Sequence, residues 1–351
     1  MPEKMYAVVI YGKEDFRYEE VDYPKPGPEE VTVKIERCGI CAADPKIFRG
    51  KAYFSKIVYD HAPIIAGHEF IGEVVELGPG AKEKYGLEVG DRAIAEQIVP
   101  CWECYYCKRG LYNLCIPHKI FGVKINGGWA EYLRYPKGSI IWKVPKEVPP
   151  EAAVLIEPLA CATHGVERAN IKTTDVVVIL GAGPIGLLML QVAKSKNPYM
   201  LIVSEPNEKR RRIAKELGAD EVIDPINEDI VEKINSLTGG IGADVVLEAS
   251  GAPKAVEQAV EILRKRGRFV VFGVFAEKAC IDFSIISDIK ELEIVGGHLG
   301  LNTYPAAIKF LERGLIDYKK IVTHNFRLKD WRQAIETAEK GEGIKVTMTP
   351  P

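Results

Sequence analysis

The chain lacks long apolar runs. No stretch approaches the ~18 uninterrupted apolar residues of a membrane span, and residues 1–6 contain no apolar run of the signal-peptide kind. It also lacks a charge excess, because 47 Lys and Arg residues face 49 Asp and Glu residues. Internal repeats and low-complexity segments are absent as well. We therefore expect a cytoplasmic protein whose partners include neither nucleic acid nor a membrane.

The size and the residue pattern predict two domains. Single hydrophobic cores stop growing near ~250 to 300 residues, and 351 residues with 47% hydrophobic content can build two cores. Up to about residue 155, short Val- and Ile-rich runs broken by Gly and Pro predict a β-rich domain. From about residue 175, apolar strands alternate with helical segments, which predicts a parallel, doubly wound α/β sheet.

The individual elements of the second half can be placed from the same pattern. We expect strands at 176–180, 201–203, 221–223, 243–248, 268–272 and 293–295, and helices at 184–194, 209–217 and 229–237. The pattern after residue 303, here called the tail, predicts a helix from 304, a strand at 321–323, a helix at 328–340 and a strand at 344–348. Segments 143–150 and 296–302 are expected to connect the two halves.

Four of the eight cysteines lie close together in the sequence. Cys101, Cys104, Cys107 and Cys115 have the spacing C-x2-C-x2-C-x7-C. Four thiolates complete a tetrahedral zinc shell, so this spacing favours a closed, structural zinc site. The alternatives are disulfides, which suit small secreted domains, and free core thiols. An iron–sulfur cluster is disfavoured, because ferredoxin runs are spaced differently and usually end in Cys-Pro, whereas Ile116 follows Cys115.

A glycine motif marks a candidate nucleotide site. Gly181-Ala-Gly183-Pro184-Ile185-Gly186 follows a predicted strand and opens a predicted helix. In a dinucleotide-binding turn the first glycine allows the tight turn, the second admits the pyrophosphate, and the third lets helix and strand pack closely. A plain tight turn is the alternative, but the later acidic residue described next favours a cofactor.

The acid is Glu205, 19 residues after Gly186. Its carboxylate can accept hydrogen bonds from the adenosine ribose and would repel a 2′-phosphate, which favours NAD over NADP. The competing signal is the basic run Arg210, Arg211 and Arg212, because an arginine can pair with a phosphate. A solvated helix face is the simpler interpretation for most of that run.

A second set of residues offers mixed metal ligands. Cys41, His68, Glu69 and Glu157 supply a thiolate, an imidazole and two carboxylates. Three protein ligands with an exchangeable fourth position are typical of catalytic zinc, which acts as a Lewis acid. Each residue also has an ordinary structural interpretation, as a buried Cys, a core His or a surface Glu, and spacing alone does not decide between them.

The order and spacing of these motifs resemble one family across the whole chain. Cys38-Gly-Ile-Cys41, Gly67-His68-Glu69, the cysteine block, Glu157-Pro-Leu-Ala160 and the glycine motif follow the pattern of zinc-dependent medium-chain alcohol dehydrogenases. Glu157-Pro-Leu resembles the polyol (sorbitol-type) branch. Val99-Pro-Cys-Trp-Glu-Cys104 and Gly296-Gly-His-Leu-Gly300 resemble its erythritol- and threitol-oxidising members.

The resemblance implies an architecture and a set of site residues. It implies a GroES-like catalytic domain in 1–155 completed by 299–351, a Rossmann NAD-binding domain in 156–298, and zinc in the cleft between them. It implies a catalytic zinc at Cys41, His68 and Glu69, with Glu157 as a ligand or as the holder of a zinc-bound water. With a structural zinc at the four cysteines, the resemblance implies two zinc ions per chain. Gly273, His298 and Arg210 are expected to contact the cofactor alongside the glycine motif and Glu205.

The chain departs from the family at the proton relay. Family members often have Ser or Thr two residues after the zinc cysteine and His five residues after it, whereas this chain has Ala43 and Lys46. The erythritol/threitol-type branch resembles this chain at these two positions. Lys46 is therefore a catalytic candidate that binds cofactor phosphate or ribose, or that passes a proton; a solvated lysine is the alternative.

The resemblance implies reversible oxidation of a secondary alcohol of a polyol to a ketose, with hydride transfer to NAD. An L-threonine 3-dehydrogenase-like or butanediol dehydrogenase activity is the alternative within the same chemistry, and a non-catalytic zinc- and nucleotide-binding sensor is the alternative from another class. A homo-oligomer, tetramer or dimer, is expected. His298, Lys46, Phe48 and Tyr53 are candidate substrate contacts.

Overall fold

The computed structural model describes residues 2–351, which form two compact units. Unit 1 comprises the described residues up to Glu157 together with Tyr304–Gly314 and Tyr318–Pro351, and unit 2 comprises Pro158–Thr303 and Leu315–Asp317. The domain bounds expected from the sequence, 1–155 with 299–351 and 156–298, stay a prediction. No helix within residues 2–351 combines the length and the apolar character needed to cross a bilayer.

The chain up to Glu157 is dominated by strands. They are β1 (Lys4–Gly12), β2 (Asp15–Asp22), β3 (Val31–Ile40), β4 (Ile64–Ile65), β5 (Phe70–Leu77), β6 (Arg92–Ala95), β7 (Ile98–Val99), β8 (Lys119–Ile120), β9 (Tyr132–Tyr135) and β10 (Ile141–Val144). The helices are short: α1 (Ala43–Phe48), α2 (Ser55–Tyr59), α3 (Ala81–Tyr85) and α4 (Pro150–Ala153), with single 3-10 turns at Cys107–Arg109 and Tyr112–Leu114. Because β10 and α4 extend into segment 143–150, that segment is only partly the connection that the sequence predicts.

Unit 2 alternates helices and strands. Its elements are α5 (Ile156–Ala169, whose first two residues belong to unit 1), β11 (Val176–Leu180), α6 (Pro184–Lys194), β12 (Met200–Ser204), α7 (Glu208–Leu217), β13 (Glu221–Ile223), α8 (Ile230–Thr238), β14 (Ala243–Glu248), α9 (Pro253–Ile262), β15 (Leu263–Val271), a π-helical turn at Ile285–Ile289 and β16 (Glu293–Gly296). Helix α9 was not expected from the sequence, although it has Pro253 at its first position. Its buried apolar residues Ala255, Val256, Ala259 and Val260 also form a helical pattern.

The strands of unit 2 form one parallel sheet in the order β13-β12-β11-β14-β15-β16. All five residues of the central strand β11, Val-Val-Val-Ile-Leu, are buried, as expected for a strand covered on both faces. The strand order reverses beside β11, which places the turn after β11 at the position where such sheets bind dinucleotides. The predicted doubly wound Rossmann sheet is confirmed.

The tail returns to unit 1. Its elements are α10 (Tyr304–Glu312), α11 (Tyr318–Ile321), β17 (Val322–Arg327), a 3-10 turn at Leu328–Asp330, α12 (Trp331–Glu339) and β18 (Lys345–Thr349). Strand β18 pairs antiparallel with β3, and the main sheet of unit 1 has the order β10-β6-β5-β3-β18-β17, with β9 also pairing with β3. This pairing brings residue 346 opposite Ile40, directly before Cys41.

Phe48 belongs to the aromatic core of unit 1. Its side chain is 2% exposed and lies at ring-centroid distances of 5.1 Å from Phe16 and 5.8 Å from Trp331. The suggestion that Phe48 contacts the substrate is therefore wrong, because α1 turns this residue into the core rather than outward. Tyr53 is 77% exposed, and its role stays a prediction.

Candidate functional site

The four cysteines of the C-x2-C-x2-C-x7-C block lie together in unit 1. Their sulfur atoms are all within 4.8 Å of one another. The 3-10 turns at Cys107–Arg109 and Tyr112–Leu114 fall inside the block, so the chain folds tightly around the sulfur atoms. None of the cysteines forms a disulfide, which removes the two-disulfide interpretation. Four converging thiols at this separation fit the size of a tetrahedral zinc shell.

Backbone N–H groups stabilise thiolates in this block. The N–H groups of Glu103 and Cys104 donate to Cys101 Sγ at 3.4 and 3.3 Å, and the N–H of Cys101 donates to Cys115 Sγ at 3.3 Å. Hydrogen bonds from the backbone N–H groups of Cys107 and Ile116 lower the pKa of Cys104 to about 6. Burial raises the pKa of Cys107, and it raises the pKa of Cys115 to about 12. The positive charge of a bound zinc ion would hold all four cysteines as thiolates.

The second group consists of Cys41, His68 and Glu69. Their ligand atoms also lie within 4.8 Å of one another. Cys41 follows the end of β3, and His68 and Glu69 precede β5, so neighbouring ends of two paired strands present these side chains. A thiolate, an imidazole and a carboxylate are the mixed ligands that catalytic zinc sites use.

Two glycines make this arrangement possible. A side chain at Gly39 would overlap the carboxylate of Glu69, and a side chain at Gly67 would overlap the indole of Trp129. Gly67 also has a φ of 88°, which L side chains rarely adopt. The indole N–H of Trp129 donates to the carbonyl of Gly39 at 3.0 Å. Trp129 therefore links the segment that carries Gly39 to the segment that carries Gly67.

Lys345 is the site residue that sequence reasoning missed. Its ammonium donates to both carboxylate oxygens of Glu69 at 2.7 Å and to the carbonyl of Ile40 at 3.0 Å, and both side chains are 2% exposed. Burial alone would lower the pKa of Lys345, but the negative charges of Glu69 and Cys41 raise it. The signal in the sequence was a lysine at the first position of β18, followed by Val, Thr, Met and Thr.

Two further acids act on this group. Asp44 is buried and its Oδ2 accepts the N–H of Cys41 at 2.7 Å, while burial raises the pKa of Asp44 to about 6. Burial opposes the protonation of His68, but its hydrogen bond with Cys41 and the charges of Cys41, Asp44 and Glu157 raise its pKa well above the ordinary value. Glu157 is 4% exposed in the first turn of α5 and lies outside the group whose ligand atoms converge.

Lys46 lies on the same short helix as Asp44. It is half-buried in the last turn of α1, and Ala43 opens that helix in place of a hydroxyl residue. Position 43 has no Ser or Thr and position 46 has no His, so Lys46 is the basic side chain of this helix. Its function stays a prediction.

The glycine motif of unit 2 has the geometry of a phosphate-binding turn. Gly181 has a φ of 103°, and a side chain at Gly186 would overlap the carbonyl oxygen of Gly181. A side chain at Gly183 would meet no protein atom within 4 Å, so the space beside it is open. Pro184 and Ile185 open α6, an 11-residue helix whose N-terminal N–H groups face that space. The turn therefore leaves open space at the N-terminus of α6, which is where a dinucleotide's pyrophosphate would bind.

Glu205 lies beside this turn. It is 6% exposed, and its two oxygens accept the N–H groups of Ala182 at 2.7 Å and Asn207 at 3.0 Å. Arg211 is not free for a phosphate, because its guanidinium donates to the carbonyls of Glu205 and Pro206 and pairs with Asp224 at 2.8 Å. A solvated helix face is therefore wrong for Arg211, since its side chain is only 16% exposed.

The remaining predicted cofactor residues have different surroundings. Arg210 is half-buried in the first turn of α7, and its backbone N–H is capped by the side chain of Asn207. Gly273 follows β15 and packs against Gly251. His298 is exposed after β16. Burial lowers the pKa of His164, and Arg168 and His298 lower it further. Their contacts with a cofactor stay predictions.

Both units match known protein families. The family described as alcohol dehydrogenase GroES-like domain matches residues 27–146, and the family described as zinc-binding dehydrogenase matches residues 184–313. An erythritol/L-threitol dehydrogenase of Mycolicibacterium smegmatis is 43% identical over 357 residues, covering 100% of this chain and 99% of that protein. An L-threonine 3-dehydrogenase of Pyrococcus furiosus is 42% identical over 354 residues, covering 99% of each.

A solved structure extends the likeness to three dimensions. A zinc-binding dehydrogenase from Sinorhizobium meliloti 1021, bound to NADP, is 30% identical, with a TM-score of 0.91 over 99% of this chain and 100% of that chain. The fold, the glycine turn and the converging ligand sets are thus accompanied by full-length similarity. The chain therefore belongs to the zinc-dependent medium-chain alcohol dehydrogenases, as an NAD(P)-dependent oxidoreductase of their polyol branch.

Proposed function

We propose that the protein oxidises a secondary alcohol of a small polyol, with erythritol and threitol as the first candidates, to the ketose with NAD as hydride acceptor. Cys41, His68 and Glu69 would hold a catalytic zinc, with Glu157 as a further carboxylate at the metal. Zinc supplies Lewis-acid chemistry at the alcohol oxygen, and the nicotinamide supplies the hydride acceptor. The 43% identity to an erythritol/L-threitol dehydrogenase supports this substrate class.

The choice of a neutral substrate rests on the charges around the proposed metal ligands. The charged groups that act on His68 and Lys345 include three carboxylates, those of Glu69, Asp44 and Glu157. The ammonium of Lys345 is already bonded to both oxygens of Glu69. An amino-acid substrate brings a carboxylate that needs a cationic partner, whereas a polyol brings only hydroxyl groups.

The residues of the chain have separate tasks in this proposal. Asp44 holds the backbone N–H of Cys41 and so fixes the loop that carries the first ligand. Lys345 orients Glu69. Lys46 replaces the hydroxyl relay of the family, either by passing the proton or by binding the dinucleotide. The four cysteines of the block would hold a second, structural zinc that takes no part in the reaction.

NAD is the proposed dinucleotide because of Glu205. Its buried carboxylate lies at the turn that would receive the adenosine ribose, where a 2′-phosphate would meet negative charge. Because the similar zinc-binding dehydrogenase from Sinorhizobium meliloti binds NADP, the preference for NAD is measured directly in the panel below. The expected homo-oligomeric state and the cytoplasmic location belong to the proposal as well.

A substrate panel tests the proposal. Zinc-loaded protein is mixed with NAD or NADP and with erythritol, L-threitol, sorbitol, 2,3-butanediol or L-threonine, and kcat/KM is taken from the absorbance of the reduced nicotinamide. We expect a tetritol to give the highest kcat/KM with NAD. Turnover of threonine alone would replace the polyol assignment by the threonine alternative, which the 42% identity to a threonine dehydrogenase supports. Absence of turnover with every alcohol would favour the non-catalytic sensor.

A further inference from the structure

Glu248 is a buried carboxylate that none of the roles above uses. It is the last residue of β14, it is 0% exposed, and it lies in parallel register with Leu180, the residue before the glycine turn. A buried carboxylate is costly unless its oxygens are hydrogen bonded. The groups that bond to it therefore indicate its task.

Both oxygens of Glu248 accept hydrogen bonds from two loops. Oε1 accepts the N–H of Ser250 at 2.7 Å, the hydroxyl of Ser250 at 2.6 Å and the N–H of Gly251 at 2.7 Å. Oε2 accepts the N–H of Gly273 at 3.1 Å. The carboxylate thus joins the loop after β14 to the loop after β15 at the same edge of the sheet.

The first of these loops packs on the dinucleotide turn. A side chain at Gly181 would come within 3.0 Å of Ser250 Cβ, and one at Gly186 would come within 3.7 Å of Ala249 Cβ. Ser250 thus limits the space behind the turn, and Glu248 determines where Ser250 lies. The second loop packs tightly on the carboxylate, because a side chain at Gly273 would overlap Glu248 Oε2 and the backbone of Gly251.

We infer that Glu248 is a positioning residue for the dinucleotide, which preforms the cofactor-binding edge of unit 2 by locking the Ser250–Gly251 and Gly273 loops against the glycine turn. Its role is indirect, because the hydrogen bonds to its two oxygens come from these loops. This inference rests on the binding of a nicotinamide dinucleotide and is independent of which alcohol is oxidised. A preformed edge requires no ordering of these loops when the cofactor binds, which favours affinity.

Glu248→Gln tests the inference with almost no change in shape. The amide keeps one acceptor oxygen but turns an N–H donor toward backbone N–H groups. The dissociation constants of NADH and NADPH are measured by fluorescence titration of the zinc-loaded, full-length protein. For the better-bound dinucleotide of the wild type we expect an increase of about tenfold in Glu248→Gln. Glu257→Gln, an exposed carboxylate on α9, is the matched control and should leave the dissociation constant unchanged.

A second variant and a kinetic readout separate positioning from general stability. Ser250→Ala removes one hydrogen bond to Glu248 and should raise the dissociation constant by about threefold. The KM of the dinucleotide should rise with it, while the KM of the alcohol and the zinc content stay constant. Glu248→Asp, which keeps the charge, should recover part of the affinity lost in Glu248→Gln.

The outcomes distinguish the inference from the proposed function. A wild-type protein that binds NADH but oxidises no polyol would contradict the proposed substrate and leave the affinity comparison intact. Dissociation constants within twofold of wild type in folded Glu248→Gln and Ser250→Ala would overturn the inference. If Glu248→Gln does not fold, an unchanged constant in Ser250→Ala overturns it, and a raised constant in folded Ser250→Ala supports it.

Discussion

The ammonium of Lys345 lies 2.7 Å from both carboxylate oxygens of Glu69, and the two residues are 276 positions apart in the sequence. Strand β18, which carries Lys345, reaches Glu69 because it pairs with β3 beside Cys41. The pair is almost fully buried, so each charge depends on the other for compensation. The last strand of the chain is therefore part of the proposed metal site.

Removing the ammonium should destabilise unit 1. Lys345→Met leaves Glu69 buried without its partner, and we expect the free energy of unfolding of chelator-treated protein to fall by about 3 to 5 kcal/mol. Lys345→Arg should retain most of the stability, and Lys34→Met, at an exposed lysine of β3, should have no effect. Denaturant unfolding followed by tryptophan fluorescence reports on unit 1 alone, because all four tryptophans lie there. A midpoint for Lys345→Met equal to that of wild type would contradict the proposed compensation.

Glu96 predicts a pH dependence of stability. Its carboxyl is 0% exposed, accepts the hydroxyl of Tyr112 at 3.2 Å and the indole N–H of Trp142 at 2.9 Å, and has a pKa that burial raises to about 7. Between pH 4.5, the ordinary value, and about pH 7, the folded protein keeps a proton that the unfolded chain has lost. The unfolding free energy must therefore decrease as the pH rises through this window.

The pH dependence is measured by comparing wild type with Glu96→Gln at pH 5 and pH 8. The loss of unfolding free energy between the two values should be larger in wild type by about 3 kcal/mol, since Gln cannot titrate. Glu83→Gln, at an exposed position of α3, should follow wild type. Parallel pH profiles for wild type and Glu96→Gln would show that Glu96 is charged in the folded protein throughout.

The two proposed zinc sites should lose their metal independently. We expect about two zinc ions per chain in wild type, and about one in His68→Ala and in Cys107→Ser, because the ligand sets share no residue. His68→Ala should abolish turnover, whereas Cys107→Ser should lower stability. Cys280→Ser removes an exposed cysteine outside both groups and should keep both ions. Mass-spectrometric metal analysis decides the matter, and loss of both ions in His68→Ala would show that the sites are coupled.

Glu205 should control the choice between NAD and NADP. In Glu205→Gln the repulsion of a 2′-phosphate disappears, so the ratio of kcat/KM for NAD over NADP should fall by about tenfold or more. The Gln oxygen can still accept the N–H of Ala182, which limits damage to the turn. Glu208→Gln, at an exposed carboxylate of α7, is the control. If the ratio did not change, the carboxylate would serve the turn alone and another group would select the dinucleotide.

The sequence predicts features that depend on local pattern. The helix at 184–194 is confirmed to the residue, because Pro184 begins it and a run of apolar residues follows. The strand at 243–248 is confirmed in the same way. The cysteines of the block lie within fifteen residues, and their convergence follows from spacing. In each case the neighbours that determine the structure are close in the sequence.

Features that depend on distant pairing were missed. From the sequence alone, Lys345 is expected to be exposed at the edge of a strand. Its burial follows only from the pairing of β18 with β3. Phe48 was expected at the substrate, but its burial against Trp331 depends on a helix almost 300 residues later. Glu248 ends a predicted strand, and its partner Gly273 becomes visible only when β14 and β15 are adjacent. Tertiary contacts, and not local propensity, determine these three roles.

The defining step of the proposed reaction is direct hydride transfer from a secondary carbon of a polyol to NAD. Zinc-loaded protein is incubated with NAD and with erythritol or L-threitol that carries deuterium at both secondary carbons, and the reduced nicotinamide is analysed by mass spectrometry. We expect reduced nicotinamide that carries one deuterium. Formation of no reduced nicotinamide from either tetritol, or of reduced nicotinamide without deuterium, would contradict it.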